Sequence, residues 1–338
     1  MTVDAEQLPA ASYLESYLGR FAAWLREPEV VELAINPDGS IWSERAGDAW
    51  MRREAGTSAP VETLQLARAV VGGAGRKMSR RTPLGAGKVA FEGRPLRIQV
   101  VAAPAVEESA AIAIRLMPLG ARTRHRPAFL HGTPVSLEAR RQTQLSEIVA
   151  LAERDLETAL ARMVVLRLTI LVSGGTSTGK TTVARGLLDH IGPDERLVTI
   201  EDALELFPTQ PNTVAMIADR APSSPHATAR LLEAALRLRP DRILVGELRG
   251  PEALTWLEAI NTGHGGSIST LHAETAPRAI SRLAMMVLQA GTPLTFSEVA
   301  DYVAQSVDVI VQLGRENGRR GVTEVFLPGA PKVSVGPS

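Results

Sequence analysis

The chain is 338 residues long, with 37 basic and 37 acidic side chains, no cysteine and 45% hydrophobic residues. This length is enough for two domains that each bury a core. A net charge of zero disfavours a protein that binds nucleic acid through overall basic charge, and the lack of cysteine excludes disulfides, thiolate metal sites and cysteine nucleophiles. No uncharged apolar run approaches the about 18 residues that span a membrane, and the first residues have no secretory-signal pattern. We therefore expect a soluble, cytoplasmic protein.

A mixed α/β domain is predicted for residues 1–118. Apolar side chains recur at helical spacing between 13 and 25. This helix is expected to pack in the core rather than to dip into a membrane, because its polar face has no basic cluster. Asn36-Pro37-Asp38-Gly39 lies between two β-rich segments, which is typical of a hairpin. The predicted elements are a helix over 13–25, hairpin strands over 30–35 and 40–43, a helix over 61–78, and strands over 96–100 and 111–117.

A basic linker is predicted for residues 119–141. The segment carries five arginines against one acidic residue, a net charge of +4, whereas residues 1–118 sum to zero and residues 142–338 to −4. Its prolines and glycines interrupt regular structure. We interpret residues 122–126 as part of a solvated linker that meets the acidic second domain, and contact with acidic lipid or a partner is the weaker alternative.

Residues 142–338 alternate short apolar runs with helical segments. Such alternation is typical of a mostly parallel sheet covered by helices. The sequence therefore predicts that the second domain is also of the α/β class. Its predicted elements are a helix over 142–161, strands in the runs 166–173, 197–200, 242–246, 267–271 and 307–313, and a last strand over 322–327.

The most specific motif follows the first of these apolar runs. It matches the phosphate-binding pattern G-x-x-x-x-G-K-[ST], and lysine is rare in this chain, with four against 33 arginines. Glycines let successive N–H groups point at a phosphate, and the following helix adds the positive end of its dipole. In such loops the lysine reaches the β- and γ-phosphates and the threonine hydroxyl ligates Mg²⁺. The loop residues are Gly174, Gly175, Thr176, Ser177, Thr178, Gly179, Lys180, Thr181 and Thr182.

A carboxylate is also needed to orient the attacking water. The apolar run 242–246 is followed by Glu247, the Walker B pattern, with Gly246 where many such strands place aspartate. A strand that ends in an acid has little meaning alone, but downstream of a phosphate-binding loop it indicates hydrolysis. We interpret Glu247 as the general base and as a partner of the metal.

Two further polar residues, Glu201 and His272, each follow an apolar run. Because ligands bind outside the carboxyl ends of parallel strands, the loop after Ser173 is expected to converge with Glu201, Glu247 and His272 on one crevice. His272 by itself is more typical of a packed or exposed histidine than of a phosphate sensor. No metal site on His264 and His272 is predicted, because no other ligands accompany them.

Together these segments resemble the secretion-superfamily traffic ATPases, and within that superfamily the type IV secretion ATPases of the VirB system. The resemblance extends over about residues 12–313 and is most specific from 170 to 291. It rests on a Walker A loop at 174–182, an Asp box at 199–202, a Walker B segment at 239–250, a His box from 261 to 273, and two further stretches at 29–36 and 283–291.

The resemblance implies a RecA-like P-loop ATPase domain with a smaller α/β N-terminal domain. It also implies a homohexameric ring at the cytoplasmic face of the inner membrane, in which each nucleotide lies between the two domains of one chain. The implied cofactors are ATP and Mg²⁺. The implied partners are other copies of the chain and the inner-membrane components and ATPases of a secretion system, with peripheral membrane contact and without specific nucleic-acid binding.

Specific roles are implied for several residues. Arginines at the positions of Arg97 and Arg115 reach the phosphates in the family, and a planar, permanently charged guanidinium suits that task. Glu201 is implied to hold Mg²⁺ or the attacking water, and His272 to sense the γ-phosphate. The catalytic set is Glu247, Lys180, Glu201, His272, Arg97 and Arg115, and the metal contacts are Thr181, Glu201 and Glu247.

The chain departs from the family pattern in its loop. Ser177 and Thr178 replace the commoner Gly-Ser, which adds side chains beside the phosphates and leaves the turnover rate unpredicted. The lack of cysteine argues against the type II secretion branch, whose members usually carry a four-cysteine zinc module. The alternatives are a pilus-assembly ATPase, a nucleic-acid translocase and a non-hydrolysing nucleotide-gated scaffold. A neutral first domain without a basic, aromatic groove disfavours the translocase.

Overall fold

The computed structural model describes residues 10–118, 127–221 and 223–329 of the chain. The elements of the first part of the chain are α1 (Ala10–Gly19), α2 (Ala22–Leu25), β1 (Val30–Ile35), β2 (Ser40–Arg45), β3 (Arg52–Thr57), α3 (Pro60–Gly73), β4 (Leu84–Phe91), β5 (Arg94–Ala102) and β6 (Ala110–Leu116). The six strands form one antiparallel sheet in the order β3-β2-β1-β6-β5-β4. The predicted hairpin of β1 and β2 is confirmed.

The core of this sheet includes apolar residues from α1 and α3. Leu18 of α1 and Leu66 of α3 are fully buried together with Ile98 and Ile112 of the sheet. The expectation that the first helix packs in the core is therefore confirmed. The single helix predicted over 13–25 is wrong, however, because the chain leaves the helical conformation between α1 and α2.

Seven further strands form a mostly parallel sheet, as predicted, in the order β13-β12-β7-β11-β10-β8-β9. β12 pairs with β7, β7 with β11, β11 with β10, and β8 with β9 in parallel, and β13 is antiparallel to β12. The bounds are α4 (Leu137–Ala152), α5 (Leu156–Val165), β7 (Ile170–Gly174), α6 (Lys180–Leu188), β8 (Leu197–Glu201), β9 (Thr213–Ile217), α7 (Thr228–Ala235), β10 (Arg242–Val245), α8 (Glu252–Asn261), β11 (Ile268–Leu271), α9 (Ala276–Leu288), α10 (Phe296–Ser306), β12 (Val309–Glu316) and β13 (Arg319–Phe326).

The helix predicted over 142–161 is wrong in its bounds and its continuity. α4 begins after Ser136, whose hydroxyl caps the first turn, and α5 begins after Asp155, whose carboxylate does the same. A side-chain cap requires a non-helical backbone at the capping residue, so Asp155 separates the two helices. Residues 137–141, which were predicted as linker, are helical, and the basic segment 122–126 lies outside the described residues.

The chain divides into two compact units. Buried Arg196 joins residues 192–204 and 210–241 to the first sheet, because its guanidinium donates to Asn36 Oδ1 and to Leu238 O, both at 2.8 Å. The first unit contains Met1–Arg122, Gly192–Leu204 and Gln210–Asp241, and the second contains Thr123–Ile191, Glu205–Thr209 and Arg242–Ser338.

Among the described residues, no helix is long and apolar enough to cross a membrane.

Candidate active site

The loop between β7 and α6 has the geometry that a phosphate site requires. A Cβ on Gly174 would lie 2.5 Å from Thr178 Oγ1 and 3.0 Å from Leu313 Cβ, so the position accepts only glycine. Gly179 has φ +96°, a left-handed conformation that favours glycine, and precedes the first helical residue, Lys180. The first N–H groups of α6 have no partner within the helix, and together with the helix dipole they favour an anion.

Ser177 and Thr178 fit this loop in different ways. Ser177 has φ +58°, and a left-handed backbone costs a residue with a side chain about 1 kcal/mol. Thr178 is buried, and its Oγ1 donates to Gly175 O at 3.0 Å. The departure from the commoner Gly-Ser therefore costs backbone strain at 177, whereas the hydrogen bond at 178 that closes the loop is one that a serine hydroxyl could also donate.

Lys180 is buried at the start of α6, with 9% exposure. Its Nζ lies 3.2 Å from Gly174 O and 3.1 Å from Gly175 O, and donates to both. The same Nζ lies 3.2 Å from His272 Nδ1. An ammonium group has donors only, so Nδ1 is the acceptor and the ring hydrogen is assigned to Nε2.

The positive charge of Lys180 is unfavourable where it lies. Burial lowers the pKa of Lys180, the charges of Arg249 and Arg282 lower it further, and Glu247 opposes the shift. A lowered pKa means that the folded protein disfavours the ammonium form. The triphosphate of a nucleotide bound at this loop would offset that cost.

Glu247 follows β10 and lies beside His272. Its Oε1 is 2.8 Å from His272 Nε2, although Oε1 has no well-aligned hydrogen-bond donor among the described residues. Arg249 Nε donates to the other oxygen, Oε2, at 2.5 Å. The structure therefore brings Lys180, His272 and Glu247 together in a row at the carboxyl ends of β7, β11 and β10, as the sequence predicts for these three residues. Arg249 was not predicted as a site residue, although it stands two positions after Glu247.

Thr181 lies at the same loop and contacts an acidic residue that was not among the predicted site residues. Its Oγ1 donates to Glu205 Oε2 at 3.2 Å. Hydroxyl and carboxylate oxygens are ligands that Mg²⁺ prefers, and its remaining positions are commonly filled by water and substrate phosphates. Within the described ranges, no group of three or more His, Asp or Glu lies together as a metal cage. The residues present fit a magnesium ion that is shared with a bound phosphate.

The other predicted site residues belong to the first unit. Glu201 ends β8 and is buried. Arg97 and Arg115 are register partners on β5 and β6, and Arg115 Nε donates to Glu32 Oε2 at 2.9 Å. Both arginines line a cavity of about 690 Å³. Its charged lining residues are Glu32, Arg76, Lys88, Arg97, Arg115 and Arg237, five cations and one acid, which suits an anion. The phosphate-contacting roles of Arg97 and Arg115, and the metal role of Glu201, stay predictions.

Three features define the class of RecA-like P-loop ATPases: the mostly parallel sheet, the phosphate-binding loop after β7, and the row of Lys180, His272 and Glu247 at the carboxyl ends of the strands. Residues 105–325 match the family model described as "Type II/IV secretion system protein". The type IV secretion system protein VirB11 of Brucella suis is 33% identical over 339 residues, which cover 96% of this chain and 92% of its own. The VirB11 protein of Bartonella quintana is 31% identical over 325 residues, 90% of each chain.

A solved structure agrees with these sequence relatives. The crystal structure of the VirB11 ATPase from the Brucella suis type IV secretion system, in complex with sulphate, matches with a TM-score of 0.79 at 31% identity. The match covers 93% of this chain and 97% of that one. The chain therefore belongs to the Type II/IV secretion system protein family, as a type IV secretion traffic ATPase of the VirB kind.

Protonation of His272 is expected to slow ATP turnover. Burial lowers the pKa of His272, Glu247 opposes this shift, and the charges of Lys180, Arg282 and Arg249 add to it. The pKa therefore lies below its ordinary value of about 6.5, and the ring is neutral at pH 7. When the pH falls below the pKa of His272, protonation of the ring removes the acceptor of Lys180 and adds a positive charge beside it. A plot of kcat against pH is expected to show an acid limb below about pH 6.5.

The substitution His272→Asn tests the origin of this limb. The variant is expected to lower kcat by about 10-fold or more and to lose the limb. His190→Asn, just after α6, is the matched control and is expected to keep both kcat and the limb. An acid limb that persists unchanged in His272→Asn contradicts the assignment.

Proposed function

We propose that this chain hydrolyses Mg·ATP as a homohexamer at the cytoplasmic face of the inner membrane. Hydrolysis powers substrate translocation or pilus biogenesis by a type IV secretion system. The observation that carries the proposal is the row of Lys180, His272 and Glu247 at the phosphate-binding loop. The family relationship supports the assembly and the location, with other inner-membrane components and ATPases of the system as partners.

The residues of the loop bind and orient ATP. Lys180 Nζ turns its donors from the loop carbonyls toward the β- and γ-phosphates and keeps its hydrogen bond to His272, and the N–H groups at the start of α6 hold the remaining oxygens. Thr181, with Glu205 beside it and Glu247 nearby, would hold Mg²⁺. When bound, that ion neutralises charge on the β- and γ-phosphate oxygens.

Glu247 orients the water that attacks the γ-phosphate. The Glu247 carboxylate is held at one oxygen by Arg249 and lies beside His272 at the other. These contacts restrict the carboxylate to one position, from which it accepts the proton of the water during in-line attack. His272 then reports on the γ-phosphate because Lys180, its donor, contacts that group.

Three more residues have proposed roles, namely Arg97, Arg115 and Glu201. Arg97 and Arg115 supply permanent positive charge to the phosphates, which a planar guanidinium contacts through two parallel hydrogen bonds. Arg115 is preorganised for this task, because Glu32 holds its Nε. Glu201 would hold the magnesium ion or the attacking water.

The proposal is tested on the purified full chain and in its host. We expect phosphate release from ATP that needs Mg²⁺, a sedimentation mass of six chains, and loss of substrate transfer in cells that lack the gene. A chain that binds ATP without releasing phosphate would instead be a nucleotide-gated scaffold. ATPase activity stimulated by DNA, with a steep salt dependence, would instead indicate a nucleic-acid translocase.

A further inference from the structure

Gln312 lies next to the start of the phosphate-binding loop, outside the row that the sequence predicts. It belongs to β12, is 3% exposed, and pairs in register with Ser173 of β7. The next register pair joins Leu313 to Gly174, the first glycine of the loop. β12 therefore borders the loop at the point where β7 ends.

The amide nitrogen of Gln312 holds the segment that follows His272. Its Nε2 donates to Ala273 O at 3.2 Å and to Leu313 O at 3.1 Å. Ala273 is the next residue after His272, so the first bond restrains the backbone that carries the imidazole. The second bond restrains the backbone of β12 beside the loop.

Two buried oxygens at this position have no hydrogen-bond partner among the described residues, namely Gln312 Oε1 and Ser173 Oγ. Register partners on neighbouring parallel strands project from the same face of a sheet. The two groups are complementary, because a hydroxyl can donate and an amide oxygen only accepts. No direct hydrogen bond joins Ser173 Oγ to Gln312 Oε1, but their complementarity suits one bridging water.

We propose that Gln312 is a positioning residue for ATP hydrolysis, which holds the backbone beside His272 to β12 at the start of the phosphate-binding loop. The connection keeps the imidazole at its 3.2 Å contact with Lys180 and its 2.8 Å contact with Glu247. Gln312 itself touches no reacting atom and acts through His272. The inference rests on the proposed role of His272 in hydrolysis.

The main test replaces Gln312 by leucine, which keeps most of the side-chain volume and removes both polar atoms. In Gln312→Leu we expect kcat to fall by about 10- to 100-fold with KM changed by less than about 3-fold, because a small displacement of an active-site group has effects of this size. In full-length protein labelled with ¹³C at histidine, the His272 resonance, assigned with His272→Asn, is expected to titrate at a different pH. The matched control is Gln142→Leu on α4, an exposed glutamine that donates to Glu138, and it is expected to change neither measurement.

A second variant covers the case in which Gln312→Leu fails to fold. In Gln312→Glu the protonated carboxyl can donate to Ala273 O, whereas the carboxylate cannot. Burial raises the pKa of such a carboxyl. Relative to the wild type, kcat of Gln312→Glu is therefore expected to recover as the pH is lowered from about 8 to about 6.

The failures of the two proposals are distinguishable. Full ATP turnover by His272→Asn would overturn the role of His272. An unchanged kcat or an unchanged His272 titration in folded Gln312→Leu would overturn the role of Gln312, as would a pH profile of Gln312→Glu that parallels the wild type.

Discussion

Replacement of Lys180 by alanine is expected to lower kcat/KM for ATP by about 1000-fold, and phosphate release should fall close to background. Lys180 is the one cationic side chain in the loop over residues 174–182. No other side chain of the loop can therefore supply a positive charge to the β- and γ-phosphates. Steady-state phosphate release and titration with a fluorescent ATP analogue measure turnover and binding separately.

The loss in a Lys180 variant is expected to be a loss of function and not of fold. Because burial lowers the pKa of Lys180, the folded state disfavours its charge, and removal of that charge does not weaken folding at pH 7. Lys180→Met, which keeps the apolar stem, is therefore expected to melt at the wild-type temperature or higher. Lys77→Ala, at an exposed site, is the control and is expected to retain full turnover. Near-normal turnover in Lys180→Ala would overturn the assignment of the phosphate site.

Replacement of Glu247 by glutamine is expected to leave ATP binding intact and to lower kcat by about 1000-fold, within the usual contribution of a positioned general base. Glutamine preserves the shape of the side chain, and its amide oxygen still accepts a hydrogen bond from Arg249 or His272. The variant therefore removes the proton acceptor without emptying the space. Single-turnover measurements on the purified chain are expected to show bound, unhydrolysed ATP.

The control for this variant is Glu258→Gln, an exposed acid on α8. It is expected to behave as the wild type in both binding and turnover. Normal turnover in Glu247→Gln would show that another group accepts the proton, and Glu205, which contacts Thr181, would be the next carboxylate to test.

Two strands that the sequence does not predict, β3 and β4, lack a clear pattern. Five of the six residues of β3 are exposed, so the alternation that marks a half-buried strand is absent. β4 contains two glycines, which reduce its β propensity. The break between α4 and α5 escaped prediction because Asp155 lies inside a long helical pattern, and its role as a cap depends on a local change of backbone direction.

The candidate site also combines residues that the sequence predicts with contacts that it does not predict. Lys180 and Thr181 were predicted from a short motif, because the loop is closed by contacts within nine consecutive residues. Glu247 and His272 were predicted because each follows an apolar strand, and the carboxyl ends of parallel strands meet at one edge of a sheet. Their mutual distances were not predictable, since Lys180 and His272 stand 92 residues apart in the chain.

The amino-acid sequence by itself determined the family, the phosphate-binding loop and the carboxylate and histidine beyond it, since each depends on residue types at short, regular spacing. The tertiary structure alone decided which side chains meet these groups. Arg249 folds back on Glu247, Glu205 reaches Thr181, and Gln312 holds Ala273. It also decided the lowered pKa values of Lys180 and His272, because burial and the charge of distant neighbours exist only after the strands are assembled.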